Sequence, residues 1–434
     1  MPAASLAVIV PPTQTSLRQA FRSDRSLPPR TRIAAGLGVV ASLVSRRLGR
    51  GSGSVIGGRA ILAVDPQALS HLSAGHAVAL VSGTNGKTTT TSLLAAALGT
   101  TGPVVTNLQG ANLPPGVAVA LATGAPGTPA ALEVDEAWLP RVVAATSPRA
   151  VALLNLSRDQ LDRNNEVRTL AAAWRQTFVD RSELTVIANA DDPLVVWGAG
   201  LAAEVRWVGA GQPWTDDAGG CPRCGGRIDF GDVAGAGWAC RDCELRRPEL
   251  DLRLSEGRIE WSDGRSLQLN VELPGRANRA NAAMAVATAE VFGVEPEAAA
   301  AAVGGLREVA GRYAIVTVGS AEARLLLAKN PAGWLEVFDF LRPAPTPVVV
   351  AINARIADGR DPSWLWDVPF ERLRGRLVVA TGERSRDLAV RLRYAEVDHI
   401  HEPDLVRAVS AAGSRVVDVV ANYTSFQQMR ARLS

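Results

Sequence analysis

The stretch VALVSGTNGKTTTT, residues 78–91, decides how the rest of this sequence is interpreted. Residues 78–81 are apolar and predict a buried strand, a glycine-rich turn follows, and residues 88–98 predict a helix. This is the order of a phosphate-binding loop, in which backbone N–H groups and a helix N-terminus face the anion. We predict that Gly83 and Gly86 allow close backbone approach, and that Lys87 contacts the outer phosphates. The Thr88 hydroxyl then faces Mg²⁺.

The strict pattern of such loops is not met, because Val81 stands where the first glycine belongs. The alternative interpretation is a glycine-rich turn that binds no ligand. On the phosphate hypothesis, the nucleotide-binding residues of the turn are Gly83, Thr84, Asn85, Gly86, Lys87, Thr88 and Thr89.

Lysine is rare in this chain, which has 46 lysines and arginines together but lysine only at positions 87 and 329. A lysine kept against that bias suggests a site that needs a compact point charge rather than a planar guanidinium. Lys329, in the motif KNPAG, is therefore a second catalytic candidate, unless it is a chance survivor.

Composition describes an ordinary water-soluble protein of two or three domains. The 434 residues are 47% hydrophobic and 21% charged, with a net charge of +3 and without a basic block interleaved with aromatics, which argues against nucleic acid. No transmembrane segment or signal peptide is expected. All four cysteines fall between 221 and 243, which leaves no disulfide framework and favours a cytoplasmic location.

Strands and helices alternate along two parts of the chain, which predicts an α/β fold with mostly parallel sheets. We predict strands at 77–82, 103–106, 130–134, 150–155, 184–188 and 204–208, with helices at 88–99, 166–179 and 192–199. A second, smaller α/β domain has predicted strands at 323–328, 347–352, 377–381 and 416–421, and helices at 333–341, 384–393, 403–411 and 424–433.

Acidic residues follow the predicted strands at the edge where ligands of such sheets bind. Glu133, Asp135 and Glu136 come after one strand, and Asp191 and Asp192 after another. We predict Glu133 as the carboxylate that supports Mg²⁺ beside the phosphate loop. Each acid taken alone is equally compatible with a helix cap or a solvated loop.

The four cysteines form the pattern C-x₂-C-x₁₅-C-x₂-C. Cys221, Cys224, Cys240 and Cys243 are therefore predicted to bind a structural Zn²⁺ as a zinc ribbon inserted at about 219–246. A redox pair is the alternative.

Several stretches carry weaker signals. Residues 1–31 predict a loose tail, and 33–48 an apolar-faced helix that packs on the next domain or contacts a membrane surface or an amphiphilic substrate. We expect GRGSGSVIGG, 49–58, to be a loop, and 250–274 to form β-hairpins. Asn278 and Asn281 open a helix, where their amides read an adenine edge or cap the helix. In the last domain, DGRDPSWLWD, 358–367, is a site candidate or a packed surface loop.

With these residues assembled, the chain resembles the Mur ligase superfamily. The resemblance rests on GTNGKTT, on NADDP at 189–193, on the Asn278/Asn281 segment and on GlyArg at 311–312. Within the superfamily it is most similar to the MurT family, on the cysteine insert, KNPAG, DGRDPSWLWD and NLSRDQLDR at 155–163. The resemblance implies a central ATP-binding domain over 32–311 and a C-terminal domain over 312–434, with Asn278 and Arg312 as further nucleotide contacts.

The resemblance also implies the chemistry. Members of the family amidate the D-glutamate α-carboxylate of the lipid II stem peptide, using ATP and Mg²⁺, with ammonia from a glutaminase partner called GatD. Lys87, Glu133 and Lys329 are the implied catalytic residues. An aspartate of the last domain, Asp358 in preference to Asp361, orients the partner's histidine. AlaArg at 354–355 departs from the expected AspAsn. An amino-acid-adding ligase and a nucleotide-binding scaffold are the alternative functions.

Overall fold

The computed structural model describes residues 27–47, 53–107, 111–158, 167–211, 214–231, 237–273, 275–306 and 313–433. The prediction of a loose tail falls almost entirely on residues 1–26, which lie outside the described residues. Within the described part of the chain, no helix is both long enough and apolar enough to span a bilayer.

The first domain is built on a nine-stranded sheet whose order is β11-β10-β9-β6-β5-β4-β1-β3-β2. Strands β1 to β6 are parallel to their neighbours and β9 is parallel to β6, whereas β9, β10 and β11 are paired with one another as antiparallel hairpins, as predicted for 250–274. The strands are β1 Val78–Ser82, β2 Val105–Thr106, β3 Ala130–Glu133, β4 Ala150–Leu153, β5 Thr185–Asn189, β6 Glu204–Gly209, β9 Leu252–Ser255, β10 Arg258–Trp261 and β11 Ser266–Gln268.

Helices cover both faces of this sheet, so its central strands are apolar on both sides. One face carries α1 Pro29–Arg47, α2 Ser54–Val64, α3 Ala68–Ser73, α5 Pro114–Thr123, α6 Leu139–Thr146, α7 Val167–Thr177 and α8 Pro193–Ala199. The other carries α4 Lys87–Leu98, α9 Arg276–Val291 and α10 Pro296–Gly304. The predicted α/β class with a mostly parallel sheet is confirmed.

The second domain is a six-stranded sheet of order β12-β13-β17-β14-β15-β16, parallel except for β12. Its strands are β12 Tyr313–Val318, β13 Ala321–Leu327, β14 Val348–Ala351, β15 Val378–Thr381, β16 His399–His401 and β17 Val416–Ala421. Its helices are α11 Pro331–Phe338, α12 Ser385–Tyr394, α13 Leu405–Ala411 and α14 Tyr423–Leu433. The two strands at its edges, β12 and β16, are not foreseen by the sequence pattern.

The loop predicted for GRGSGSVIGG, 49–58, is wrong for its second half, because α2 begins at Ser54. Its glycines are needed for packing rather than for a turn. A Cβ on Gly57 would lie 1.9 Å from Ser42 Oγ, and one on Gly58 would lie 1.9 Å from the Pro115 carbonyl oxygen. Tertiary contact therefore offsets the low helix propensity of glycine here.

Candidate active site

The turn between β1 and α4 has the backbone that a phosphate-binding loop requires. Gly83 and Gly86 have φ angles of +145° and +83°, a region that residues with a Cβ rarely enter. A Cβ on Gly86 would also lie 2.6 Å from Asn281 Oδ1 on α9. Helix α4 begins directly after this glycine, so its free N–H groups face the same side as the turn.

The segment after β4 fixes the turn in place. The Asn155 side chain accepts the Asn85 N–H at 2.9 Å and donates to the Asn85 carbonyl at 3.1 Å. The Ser157 N–H donates to Thr84 Oγ1 at 3.0 Å, and that hydroxyl donates to the Ser157 carbonyl. These contacts pre-organise the loop, and they explain why Thr84 and Asn85 are buried.

Lys87 is buried at the base of the loop. Its Nζ donates to the Gly83 carbonyl at 2.6 Å and to Glu136 Oε2 at 2.9 Å. Burial by itself lowers the pKa of Lys87, but the Glu136 and Glu133 carboxylates outweigh it and raise that pKa above its ordinary value. Lys87 is therefore a fixed positive charge, as its selection over arginine suggests.

Glu136, rather than Glu133, is the ion-pair partner of Lys87. Burial favours its neutral form, but Lys87 and Lys329 together hold the pKa of Glu136 below its ordinary value. The sequence places Glu136 in the right cluster, but no local signal distinguishes the pairing acid from its neighbours.

Glu133 lies at the end of β3 and is also buried. The Asn112 side chain donates to its Oε1 at 3.2 Å, and the Glu133 backbone N–H donates to Asn107 Oδ1 at 2.8 Å. A buried carboxylate and a threonine hydroxyl are oxygen ligands of the kind that Mg²⁺ prefers. Thr88, in the first turn of α4, is half-buried. Glu133 and Thr88 thus remain the predicted metal-side residues.

The second domain contributes directly to the site. Asn330, which follows Lys329 and caps α11, exchanges two side-chain hydrogen bonds with Asn85 of the phosphate loop, at 3.3 and 3.2 Å. Together with Lys87, the positive charge of Lys329 holds the pKa of Glu136 below its ordinary value. Burial and the Glu136 carboxylate raise the pKa of Asp135, and the charge of Lys329 opposes that rise. Through Asn330, the KNPAG motif therefore lies beside the phosphate loop.

A cavity of about 40 Å³ opens beside the loop, between the domains. Its described lining includes Asn281 but not Asn278, which is half-buried on the same helix. The lining residues are Asn85, Leu154, Asn155, Ser157, Asn189, Ala210, Gly211, Trp214, Ala277, Ala280, Asn281, Met284, Ala332 and Glu336. Arg312, the other predicted nucleotide contact, lies outside the described residues.

The four cysteines converge, with their sulfur atoms within 4.8 Å of one another. The short separations join the two knuckles, with 3.7 Å between Cys221 and Cys243 and 3.5 Å between Cys224 and Cys240. Four thiolates around Zn²⁺ at tetrahedral angles have sulfur separations of about 3.8 Å, so the donor set fits this ion. The hairpin of β7 Ile228–Phe230 and β8 Trp238–Cys240 completes a ribbon.

The ribbon is fixed to the nucleotide side of the sheet. The Trp238 indole donates to the Ala190 carbonyl at 2.9 Å, and Arg247 pairs with Asp191 at 2.6 Å. The loop that follows Asn189, the last residue of β5, therefore rests on the ribbon.

The two candidate aspartates of the last domain differ in accessibility. Asp358 is buried and accepts the backbone N–H of Thr424 at 2.8 Å as well as the Thr424 hydroxyl. Asp361 is exposed and accepts the Ser363 N–H at 2.9 Å. Arg355, which departs from the expected family residue, pairs with Glu383.

Two family profiles match the chain. One, described as Mur ligase middle domain, covers residues 81–212, and the other, described as MurT ligase C-terminal, covers residues 327–426. Curated relatives match over nearly the whole chain. A protein of Streptococcus pneumoniae named "Lipid II isoglutaminyl synthase (glutamine-hydrolyzing) subunit MurT" is 29% identical, over 90% of this chain and 94% of its own length. Its counterpart in Staphylococcus aureus is 28% identical, over 92% and 97%.

Solved structures share the fold at low sequence identity. A pseudomurein peptide ligase type C from Methanothermus fervidus has a TM-score of 0.65 at 17% identity, covering 83% of this chain and 79% of that one. MurF from Acinetobacter baumannii has a TM-score of 0.62 at 15% identity, covering 86% and 79%. The chain belongs to the Mur ligase superfamily and, within it, to the MurT family.

Proposed function

We propose that this chain is the synthetase subunit of a lipid II isoglutaminyl synthase, which amidates the D-glutamate α-carboxylate of the stem peptide of lipid II in peptidoglycan synthesis. The observation that carries the proposal is the meeting of Lys329 and Asn330, from the MurT-type domain, with the phosphate loop of the Mur ligase domain. The near full-length similarity to MurT subunits supports the same reaction.

The reaction proceeds in two steps. The carboxylate attacks the γ-phosphorus of ATP, which releases ADP and leaves an acyl phosphate. Ammonia then attacks the acyl carbon, phosphate leaves with the bonding electrons, and the amide forms. The main demand on the protein is neutralisation of charge around the phosphoryl group. Lys87 supplies a buried positive charge at the loop, and Lys329 supplies a second from the other domain.

The cofactors we propose are ATP, Mg²⁺ and a structural Zn²⁺. The phosphate loop binds the ATP phosphates, and the cavity beside Asn281 and Trp214 receives the nucleoside. Thr88 and Glu133 would hold Mg²⁺, which neutralises phosphate charge when it is bound. The four clustered cysteines would hold Zn²⁺ with no open position, so its role is structural.

Ammonia must come from a second protein. A glutaminase of the thiol type needs a free cysteine with a nearby histidine, but all four cysteines of this sequence belong to the cluster. We therefore propose a GatD-like glutaminase partner in a heterodimer, and lipid II as the substrate. Because lipid II is anchored in the bilayer, the enzyme works in the cytoplasm at the inner face of the plasma membrane.

One aspartate of the last domain would orient the catalytic histidine of the partner. Asp361 has an accessible carboxylate, whereas Asp358 must first leave Thr424. Asp361→Asn is expected to reduce glutamine-dependent amidation at least about 100-fold and to leave ammonium-dependent amidation intact. Asp358→Asn serves as the comparison, with its melting temperature measured alongside. If neither substitution alters the use of glutamine, this assignment is wrong.

The whole proposal is tested by co-expressing the chain with the glutaminase and analysing treated lipid II by mass spectrometry. We expect a product in which the OH of one carboxyl group is replaced by NH₂. This product should form only in the presence of ATP and glutamine. If the purified chain instead consumes ATP with an amino acid and no glutaminase, it is an amino-acid-adding ligase. If Lys87→Ala retains full activity in the complex, the chain is a nucleotide-binding scaffold.

A further inference from the structure

Helix α1 exposes a stripe of aliphatic side chains that none of the functions above uses. Ile33, Leu37, Val40 and Val44 are 61%, 50%, 57% and 50% exposed. Their spacing of four, three and four residues puts them on one face of the helix. Val55 and Ile56, at the start of α2, are also exposed. Contiguous apolar surface of this kind marks a binding face rather than ordinary exposure.

The opposite face of α1 is buried and made of small residues. Ala34, Ala35 and Ser42 pack inward, and the contact with α2 is so close that a Cβ on Gly38 would lie 2.3 Å from Ile61. Because the buried face is tightly fitted, the exposed stripe is held in a fixed orientation.

The charge around the stripe has one sign. Residues 25–64 contain seven arginines and no acidic residue, although the whole chain carries a net charge of only +3. Arg47 is exposed and lies fourteen residues, or about four helical turns, after Ile33, so it continues the line of the stripe. Arg30 is exposed at the other end of the helix. Apolar side chains between basic residues are typical of a helix that lies on an anionic lipid surface.

The buried side of α2 packs on a segment that leads to the catalytic side of the first domain. Helix α2 packs on the start of α5, where a Cβ on Gly58 would meet the Pro115 carbonyl. Three residues earlier, Asn112 holds the Glu133 carboxylate at 3.2 Å. Helices α1 and α2 are therefore linked, through the start of α5, to the residue that donates to the predicted metal-side acid.

We propose that the α1–α2 face, formed by Ile33, Leu37, Val40, Val44, Val55 and Ile56 with Arg47, binds the anionic surface of a lipid bilayer. The inference rests on the proposed function, since it places the synthetase where a lipid-anchored substrate is found. The six apolar residues are all aliphatic, whereas the centre of a protein interface is usually rich in aromatics. A second copy of the chain would bring two acid-free, arginine-rich faces together, which like-charge repulsion opposes.

The test is flotation of the full-length protein with vesicles of phosphatidylcholine, with or without about 30% phosphatidylglycerol. We expect binding to the anionic vesicles, weaker binding at high salt, and little binding to the neutral ones. The double variant Leu37→Asp, Val40→Asp should bind at least about tenfold more weakly. The variant Arg47→Gln should lose mainly the salt-sensitive part.

Val390→Asp is the matched control, because Val390 is 51% exposed on a helix of the other domain. It should bind vesicles like the unaltered protein, and all variants should keep its melting temperature. The proposal is overturned if the unaltered protein does not bind anionic vesicles, or if the Leu37/Val40 variant binds as well as the control. It is equally overturned if that variant changes the oligomeric mass in light scattering while vesicle binding stays constant.

Activity separates this inference from the proposed function. With the glutaminase partner present, the Leu37/Val40 variant should amidate lipid II in detergent micelles normally and lipid II in vesicles more slowly. Equal rates in both settings would remove the membrane role and leave the synthetase intact. A complex of the unaltered protein that amidates neither substrate would refute the function itself.

Discussion

At the residue scale, the site depends on a lysine that is buried together with its counter-ion. Lys87 and Glu136 are both nearly inaccessible, and their charged atoms are 2.9 Å apart. Two charges removed from water in this way are stable only as a pair, because each compensates for the hydration that the other has lost. The pair therefore keeps Lys87 charged and aimed at the phosphate loop.

Removing one member of the pair should destabilise the fold, and removing both should not. Lys87→Met leaves Glu136 as a buried charge that only Lys329 still compensates, and we expect a loss of up to about 3–5 kcal/mol in the free energy of unfolding. Adding Glu136→Gln to Lys87→Met should restore most of that stability without restoring amidation. Denaturant unfolding and product analysis measure the two effects. Equal stability of the single and double variants would contradict the pairing.

Asp192 gives the fold a specific pH dependence. It is fully buried at the N-terminus of α8, and burial raises its pKa to about 6 although the N–H groups of Leu156, Leu194 and Val195 donate to it. Because the folded-state pKa exceeds the ordinary value, the stability from this group is complete below about pH 4 and is lost as pH rises through 6. Relative to Asp192→Asn, the unaltered protein should therefore lose up to about 3 kcal/mol between pH 4 and 7.

Thermal melts of both proteins across this pH range measure the difference. Only the change in that difference with pH matters, since the asparagine amide also alters the contact with the Leu156 N–H. Parallel pH profiles would show that Asp192 keeps an ordinary pKa in the folded protein.

At the element scale, the cysteine ribbon supports the cavity beside the phosphate loop. Trp238 connects the ribbon to the loop after β5. Asn189, the residue before that loop, donates to the Leu154 and Gly211 carbonyls at 3.0 and 3.3 Å. Both residues line the cavity. A change in the ribbon should therefore reach nucleotide binding through these contacts.

We predict one Zn²⁺ per chain and its loss in Cys224→Ser. Without the metal, residues 219–246 should become accessible to protease, and ATP should bind about tenfold more weakly because the Asn189 loop loses its support. Arg223→Gln, an exposed change in the same knuckle, should keep both the metal and the affinity. Metal-free protein with full protease resistance would refute the ribbon.

At the scale of the whole molecule, polar contacts join the two domains within the described residues. Besides the pairing of Asn85 with Asn330, Arg158 pairs with Asp367 at 3.4 Å and Arg276 with Asp339 at 3.1 Å. Both ion pairs are at the surface, where such pairs contribute little. The buried amide pair is therefore the contact expected to control closure of the domains.

Two substitutions at Asn330 separate closure from local folding. Asn330→Asp keeps the cap on α11 and can still accept from Asn85, whereas Asn330→Ala loses the cap and both amide bonds. We expect the alanine variant to lose about tenfold in kcat/KM for ATP, and the aspartate variant to lose less. The alanine variant should also have a larger radius of gyration by small-angle scattering. Asp367→Asn, at the surface pair, should change neither quantity. Full activity of the alanine variant would contradict this role.

The phosphate loop and the cysteine cluster were predictable because their residues lie close together in the sequence, at characteristic spacings. The strand, glycine turn, Lys87 and Thr88 follow one another within a few residues, and the four cysteines have the spacing of a zinc ribbon. The alternation of apolar runs likewise predicted most strands and helices within a few residues. These features depend on backbone geometry and period, which neighbouring residues determine.

Only the tertiary structure decided which of these groups meet. Residues 245 positions apart form the Asn85–Asn330 pair, and Glu136 rather than Glu133 reaches Lys87. The accessibility of Asp361 and the burial of Asp358 likewise depend on how the last helix packs. Such choices arise from contacts between elements distant in the sequence, where burial and charge compensation select one partner from several chemically equivalent ones.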